Sequence, residues 1–269
     1  MSAFAIHLSY ELRTGIRNWA LLAMTYVFPL GFFLMTGLVM PGLNPFFLPV
    51  MVPAMVVFAI LSATLLGLPE PLVQARETGI FRTYRINGVP VSSILLVPAL
   101  TTGLHLTIVA GIITLTAGTV FGAPLPESWG GFLLTFVAAT VACTGLSVLI
   151  GVASPGSRVQ LLWAQMVFLP SMLLGGLMIP WDRVPAVPAR VALLLPATHA
   201  MNAFKGLAMG GAADFNPWFS IAALLTGGAL GLALAAWLFC WDRHTTSRRG
   251  HPVWAFLVLL PYGATMLLT

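Results

Sequence analysis

Charge is what this sequence has least of. Only 7% of its 269 residues are Asp, Glu, Lys or Arg, while 59% are hydrophobic and the mean hydropathy is +0.97. A soluble domain carries roughly 25% charged residues. A globule this apolar could not cover its surface with polar groups, so its solvent must be lipid. Lysine is nearly missing. Lys205 stands alone, is followed by Gly206 rather than Ser or Thr, and lacks the upstream glycine spacing of a P-loop. Nucleotide hydrolysis by that route is excluded. No H-E-x-x-H, G-x-S-x-G or C-x-x-C occurs, which removes the zinc, serine and dithiol chemistries those patterns serve. No carboxylate lies in the middle of an apolar run, which argues against an ion-driven carrier and an intramembrane enzyme, because both need an ionisable group at depth. Cys143 and Cys240 both fall inside apolar runs and read as buried and inert. Arg13 and Arg17 precede an apolar run longer than a signal-peptide core, with no A-x-A after it, so no cleavable signal is expected.

What is present is a series of long apolar runs. At about 20 residues per crossing the chain holds roughly six membrane helices and leaves no room for a separate soluble catalytic domain. The fold class expected is all-α integral membrane. The spans read as Ala20–Met40, Phe47–Leu68, Val91–Phe121, Gly131–Ala153, Val159–Ile179 and Trp218–Cys240. The third is longer than a bilayer requires, so it tilts, protrudes or breaks. Residues 1–19 are amphipathic and read either as an interfacial elbow helix or as a frayed start of the first span. The membrane domain then covers 20–241. Residues 242–269 are a basic tail with an extra apolar segment, Pro252–Thr269, weakened by Pro261 and Gly263. That segment either crosses as a seventh span or lies at the interface.

The net charge is +5, and in a soluble protein it would raise nucleic-acid binding. Here the arginines cluster at the ends of apolar runs, which is a topology signal and not a nucleic-acid one. With the N-terminus inside, Arg13, Arg17, Arg76, Arg82, Arg85, Arg158, Arg243, Arg248 and Arg249 fall on the cytoplasmic side. Only Arg183, Arg190 and Lys205 fall outside. Two stretches interrupt the apolar pattern. Glu70–Pro90 is bracketed by Gly67, Pro69, Gly88 and Pro90, and Arg76, Glu77, Arg82 and Arg85 recur in it at near-helical spacing. It reads as a short surface helix that a soluble partner grips, or as a solvated loop whose arginines only fix topology. Residues 181–217 alternate prolines with apolar pieces too short to cross. Two short helices, Val187–Leu195 and Thr198–Met209, are expected at or dipping into the membrane surface, where protein or water must cover irregular backbone. His105 is the one titratable group inside a span. It reads more readily as a neutral imidazole bonded to a neighbouring helix than as a proton carrier. His199, in the outer hairpin, is expected to cap or hydrogen-bond and not to catalyse.

The stretch ARETGIFRTYRINGVPVSSIL resembles the signature of ABC-2 type permeases, the membrane subunits of many bacterial ABC exporters. In that family a pattern close to R-E-x-G-T-x-R-R-L-x-x-x-P-V follows the second span and forms the coupling helix. Arg76, Glu77, Gly79, Arg82, Pro90 and Val91 fall on matching positions, whereas Ile80 replaces the usual threonine and Ala75 a common acidic residue. A second stretch, GGLMIPWDRVPAVPARVALLLPATHAMNAFKGLAMGG, resembles the family's external re-entrant hairpin at Gly175, Gly176, Pro180, Pro185, Pro196 and Lys205. The resemblance runs to about Trp241, and the apolar tail is not typical of the family.

The resemblance implies a bacterial inner-membrane exporter built from two permease subunits, alike or different, and two ATP-binding subunits. ATP and Mg would be held by the partner, with no cofactor or metal in this chain. It implies coupling through Arg76, Glu77, Gly79, Arg82 and Arg85. It also implies a pathway at the dimer interface, for which this chain offers Met55, Phe58 and Ser62 on the second span and Gln165, Phe168 and Met172 on the fifth. Methionine and aromatic surfaces suit apolar, variable cargo, so a drug- or antibiotic-like molecule is expected, with a lipid-linked polysaccharide or lipid as the alternative cargo. Outside the family, an ATP-independent carrier or a membrane scaffold would account for the same composition.

Overall fold

The computed structural model describes residues 8, 9, 11–13, 19–242 and 250–266. Every regular element among the described residues is helical. In chain order these are α1 (Ala23–Leu43), α2 (Phe47–Glu77), the short α3 (Ile80–Ile86), α4 (Val91–Phe121), α5 (Trp129–Ala153), α6 (Ser157–Leu174), α7 (Ala186–Ala192), α8 (Pro196–Ala203), α9 (Pro217–Leu238) and α10 (Pro252–Thr265). Five of them, α1, α2, α4, α5 and α9, are long and apolar enough to cross a membrane. The fifth expected span appears as α6, diluted by Arg158, Gln160, Gln165 and Ser171. The expected elbow at 1–19 lies mostly outside the described residues, as do Arg17, Arg243, Arg248 and Arg249.

Local chemistry sets the boundaries. Ser128 caps α5, its hydroxyl accepting from Gly131 N at 3.1 Å, and Asn216 caps α9 through Trp218 N at 3.0 Å. Pro217 follows at the first helical position, where its missing N–H costs nothing. α4 starts after extended Pro90 and stops at Gly122, whose φ of +66° suits glycine. The turn expected around Pro41 comes slightly later, because α1 continues to Leu43 before Asn44 leaves the helix.

α2 is the centre of the bundle. Residues 51–65 are all buried, as expected for a helix apolar on every side, and α1, α4, α5 and α6 surround it. Its few hydroxyls turn back on their own backbone: Ser62 donates to Ala59 O at 3.1 Å and Thr64 to Ile60 O at 2.6 Å. They open a wide π-helical turn, Ser62–Gly67, packed against a matching π turn at Ala23–Val27 in α1.

The closest helix pair is α5 with α9. Gly145 on α5 faces Gly228 and Gly231 on α9 so closely that backbone meets backbone. A Cβ on Gly228 would stand 2.6 Å from Val141 O, and one on Gly231 would stand 2.8 Å from Gly145 C. Between lipid-facing helices there is no hydrophobic drive, so small residues that admit close packing supply the attraction. Gly228→Val is therefore expected to force the pair apart and to cost about 1–3 kcal/mol. The thermal midpoint in detergent checks this. Gly111→Ala, where an added Cβ meets nothing within 4 Å, should leave the midpoint unchanged or raise it.

Candidate functional site

The charged segment is one platform made of two helices. α2 carries on past the apolar zone to Glu77. The chain then turns through Gly79, whose φ of +79° demands glycine, into the separate helix α3. A second left-handed glycine, Gly88 (φ +71°), releases the chain toward α4. The single surface helix expected across 70–90 is thus an extension of the second span plus a seven-residue rod.

The residues singled out there divide by direction. Arg76 is only 5% exposed. Its guanidinium donates to Val152 O at 2.8 Å and to Ser154 O. Those carbonyls end α5, where the helix leaves acceptors unmet and its dipole favours a cation. Arg76 therefore fastens the platform to the helix bundle at the end of α5. Glu77, Arg82 and Arg85 are exposed. Arg82 pairs with Asp242, just beyond α9. Phe81 turns inward and packs on Phe239 with ring centroids 5.2 Å apart. Two apolar residues remain on the open face, Ile80 and Ile86, the latter 85% exposed.

At the opposite end lies the hairpin of α7 and α8. Pro185 precedes α7 and Pro196 opens α8, so both prolines sit where a helix begins. α8 is buried throughout and ends in a π turn, Phe204–Ala208. Asn202 organises this region. Its Nδ2 donates to Phe215 O (2.9 Å) and Ser220 Oγ (3.0 Å), and its Oδ1 accepts from Asp214 N (2.8 Å) and Phe215 N (3.2 Å). Lys205 donates to Asp214 at 2.8 Å. A pocket of about 100 Å³ opens here, walled by Pro49, Pro53, Pro180, Trp181 and Phe215 with Lys205 at its rim. It is small beside the roughly 300–1,000 Å³ of sites that hold drug-sized ligands. Asn202 and Asp214 were not among the residues picked from sequence. An Asn inside an apolar run was the available signal.

The six residues expected along the pathway are packed within the subunit to different degrees. Met55, Phe58, Ser62 and Phe168 are buried, while Gln165 and Met172 are partly open. Phe58 stacks on Phe32 at 4.2 Å and meets Phe168 at 5.9 Å, and Thr36 donates to the Met55 sulfur at 3.3 Å. None of the six lines the hairpin pocket. His105 Nδ1 lies 2.7 Å from Tyr26 Oη on α1, the inter-helix bond expected of a structural imidazole.

His199 is fully buried beside Phe215 and Tyr262. Its Nε2 lies 2.8 Å from Leu193 O, and its Nδ1 has no partner among the described residues. Burial holds its pKa down at about 4, against a smaller upward pull from that backbone bond. The unfolded chain takes up a proton near pH 6.5 and the folded one only near 4. Stability present above pH 6.5 is therefore lost as pH falls toward 4, by up to about 3 kcal/mol. The thermal midpoint should drop on acidification from pH 7 to 5, and His199→Gln should shrink that drop. Arg76→Met should lower the midpoint of the isolated subunit, since charged hydrogen bonds are worth about 1.5–3 kcal/mol, whereas Glu77→Lys should not.

No curated protein and no solved structure gives a significant match. A family model described as ABC-2 type transporter matches residues 2–209, which takes in α1 through α8 and so both the charged platform and the outer hairpin. With more than half its length under that one model, the chain belongs to the ABC-2 type transporter family.

Proposed function

We propose that this chain is the translocation subunit of an ATP-driven exporter, moving a hydrophobic or amphipathic small molecule of drug or antibiotic type. A separate ABC-type ATP-binding subunit, carrying ATP and Mg, supplies the energy. The observation that carries the reading is the open face of the charged platform. Glu77, Ile80, Arg82, Arg85 and Ile86 are exposed together, on a rod whose root is fixed inside the subunit by Arg76. An isoleucine held in water beside an acid and two arginines has the chemistry of an interface anchor: an apolar centre with a charged rim. The excess of basic residues at this end supports a cytoplasmic placement for it and for the N-terminus, with the hairpin outside, in the bacterial inner membrane that the resemblance implies.

The cargo route fits between two permease subunits better than within one. Met55, Phe58 and Ser62 fill the centre of this subunit. α6, by contrast, shows Leu161, Met166, Leu169 and Leu173 outward and is the least lipid-like of the long helices. A helix mixing Gln165 with open apolar side chains suits a wall shared with a second copy or a sister subunit, where Gln165, Phe168 and Met172 would meet cargo. ATP binding then shifts access by favouring one of two arrangements, and only by as much as the motor binds one more tightly than the other.

The test is purification from the native membrane in gentle detergent, with mass spectrometry of what accompanies the chain. A P-loop ATPase should come in near-equal amount. Glu77→Lys and Ile86→Asp should each lower its recovery about tenfold, the scale of one interface anchor worth about 1.4 kcal/mol, with the permease itself still folded. A folded permease recovered alone, whose transport follows an ion gradient and ignores ATP, would overturn the reading.

A further inference from the structure

We propose that α10 is a seventh membrane crossing, packed along α9 from its platform end and meeting the tip of the outer hairpin at Tyr262 and Gly263. The contacts along it occur in spatial order. Gly250 backs onto Trp237, next to the end of α9 at Leu238. Phe256 meets Trp163 of α6, ring centroids 5.6 Å apart. Tyr262, 1% exposed, lies against Gly227 of α9 and puts its ring 5.5 Å from that of His199 in the hairpin. Gly263 then adjoins Leu194. The segment runs from the platform end of α9 to its middle, where Gly227 lies, and there meets the buried tip of the hairpin at Leu194 and His199.

Length permits this because the helix is stretched. Pro252–Leu259 is 3-10 helix and Leu260–Thr265 is α-helix. At about 2.0 Å per residue for the first part and 1.5 Å for the second, the segment covers about 25 Å. The hydrocarbon core is about 30 Å thick, and the hairpin it reaches lies against Tyr262 and Gly263.

The outward face decides between crossing and lying flat. A helix in the interface keeps a charged or polar face to water. Here the side away from the bundle shows Val253, Trp254, Phe256 and Leu260, all well exposed, while Val258, Tyr262 and Thr265 point inward. No charged residue lies between Pro252 and Thr265. That pattern belongs to a helix with protein on one side and lipid on the other. At its amino end Gly250 backs onto Trp237, so the segment starts beside the platform end of α9. The crossing stands whether or not an ATPase docks on the platform, and it delivers the chain beyond α10 to the side opposite α3.

Single cysteines in the full chain test this with a membrane-impermeant maleimide on intact cells, Cys143 and Cys240 being buried. Asn87→Cys reports the platform side and Gly130→Cys the other. A third cysteine, appended after Thr269 through a short Gly-Ser linker, should label together with Gly130→Cys and apart from Asn87→Cys. Labelling together with Asn87→Cys would overturn the crossing.

Discussion

The contact on which the rest depends is the backbone-to-backbone meeting of α5 and α9 at Gly145 and Gly228. In lipid, burying apolar side chains against one another gains little, because the tails are as apolar as leucine. What holds helices together is close dispersion contact and the few hydrogen bonds that close approach allows. Glycine is the residue that lets two backbones touch. α5 uses the same device at both ends. Gly151 fits against Pro69 of α2, where a Cβ would stand 3.1 Å from the proline carbonyl oxygen, and Gly131 fits against the backbone of Leu207. One helix is thereby pressed against the last span in its middle, the central span at one end and the hairpin at the other.

The scarce polar groups follow the same axis. At the carboxyl end of α5, Arg76 occupies the carbonyls of Val152 and Ser154. Near its amino end, the amides of Glu127 and Ser128 donate to Ala208 O at 2.8 and 3.1 Å. Platform and hairpin are therefore both hydrogen-bonded to the two ends of α5. A chain with so few charges places one of them, Arg76, where it satisfies two buried carbonyls and closes an interface between elements 76 residues apart in sequence. The arginine is buried because the helix terminus offers it acceptors, which offsets the desolvation that would otherwise keep it out.

Much of this was legible in the sequence, for reasons that differ by element. Val91–Phe121 was read with its observed bounds because proline before and glycine after it are unambiguous stops. The hairpin was legible as two short helices because Pro185 and Pro196 can only begin helices there. The break at Gly79 was less visible. Its left-handed backbone converts one expected helix into two, and a single glycine inside a run of charges at near-helical spacing does not announce that. The inward turn of Arg76 was not legible at all, since its partners are backbone carbonyls on a distant helix and leave no mark in composition. The tail was ambiguous for a geometric reason. Pro252–Thr269 as an α-helix measures about 27 Å, just short of a bilayer core of about 30 Å, and Pro261 and Gly263 weaken it.

These fixings constrain how a push on the platform travels. α3 is a short rod between two left-handed glycines, Gly79 and Gly88, and Phe81 and Arg82 tie it to Phe239 and Asp242 at the end of α9. Its root does not move with it, because Arg76 belongs to α2 and is locked to α5. Two connections lead out of α3. One is α4, which begins directly after Gly88 and Pro90. The other is the Arg82–Asp242 pair, through which the push reaches α9 and the chain leading to α10. The first leads into a long helix packed on α2. The second bears on the segment that touches the hairpin through Tyr262 and His199. Because α9 is pressed backbone to backbone against α5 at Gly228 and Gly145, a load on the second connection is shared with α5, the same helix to which Arg76 holds the root of the platform.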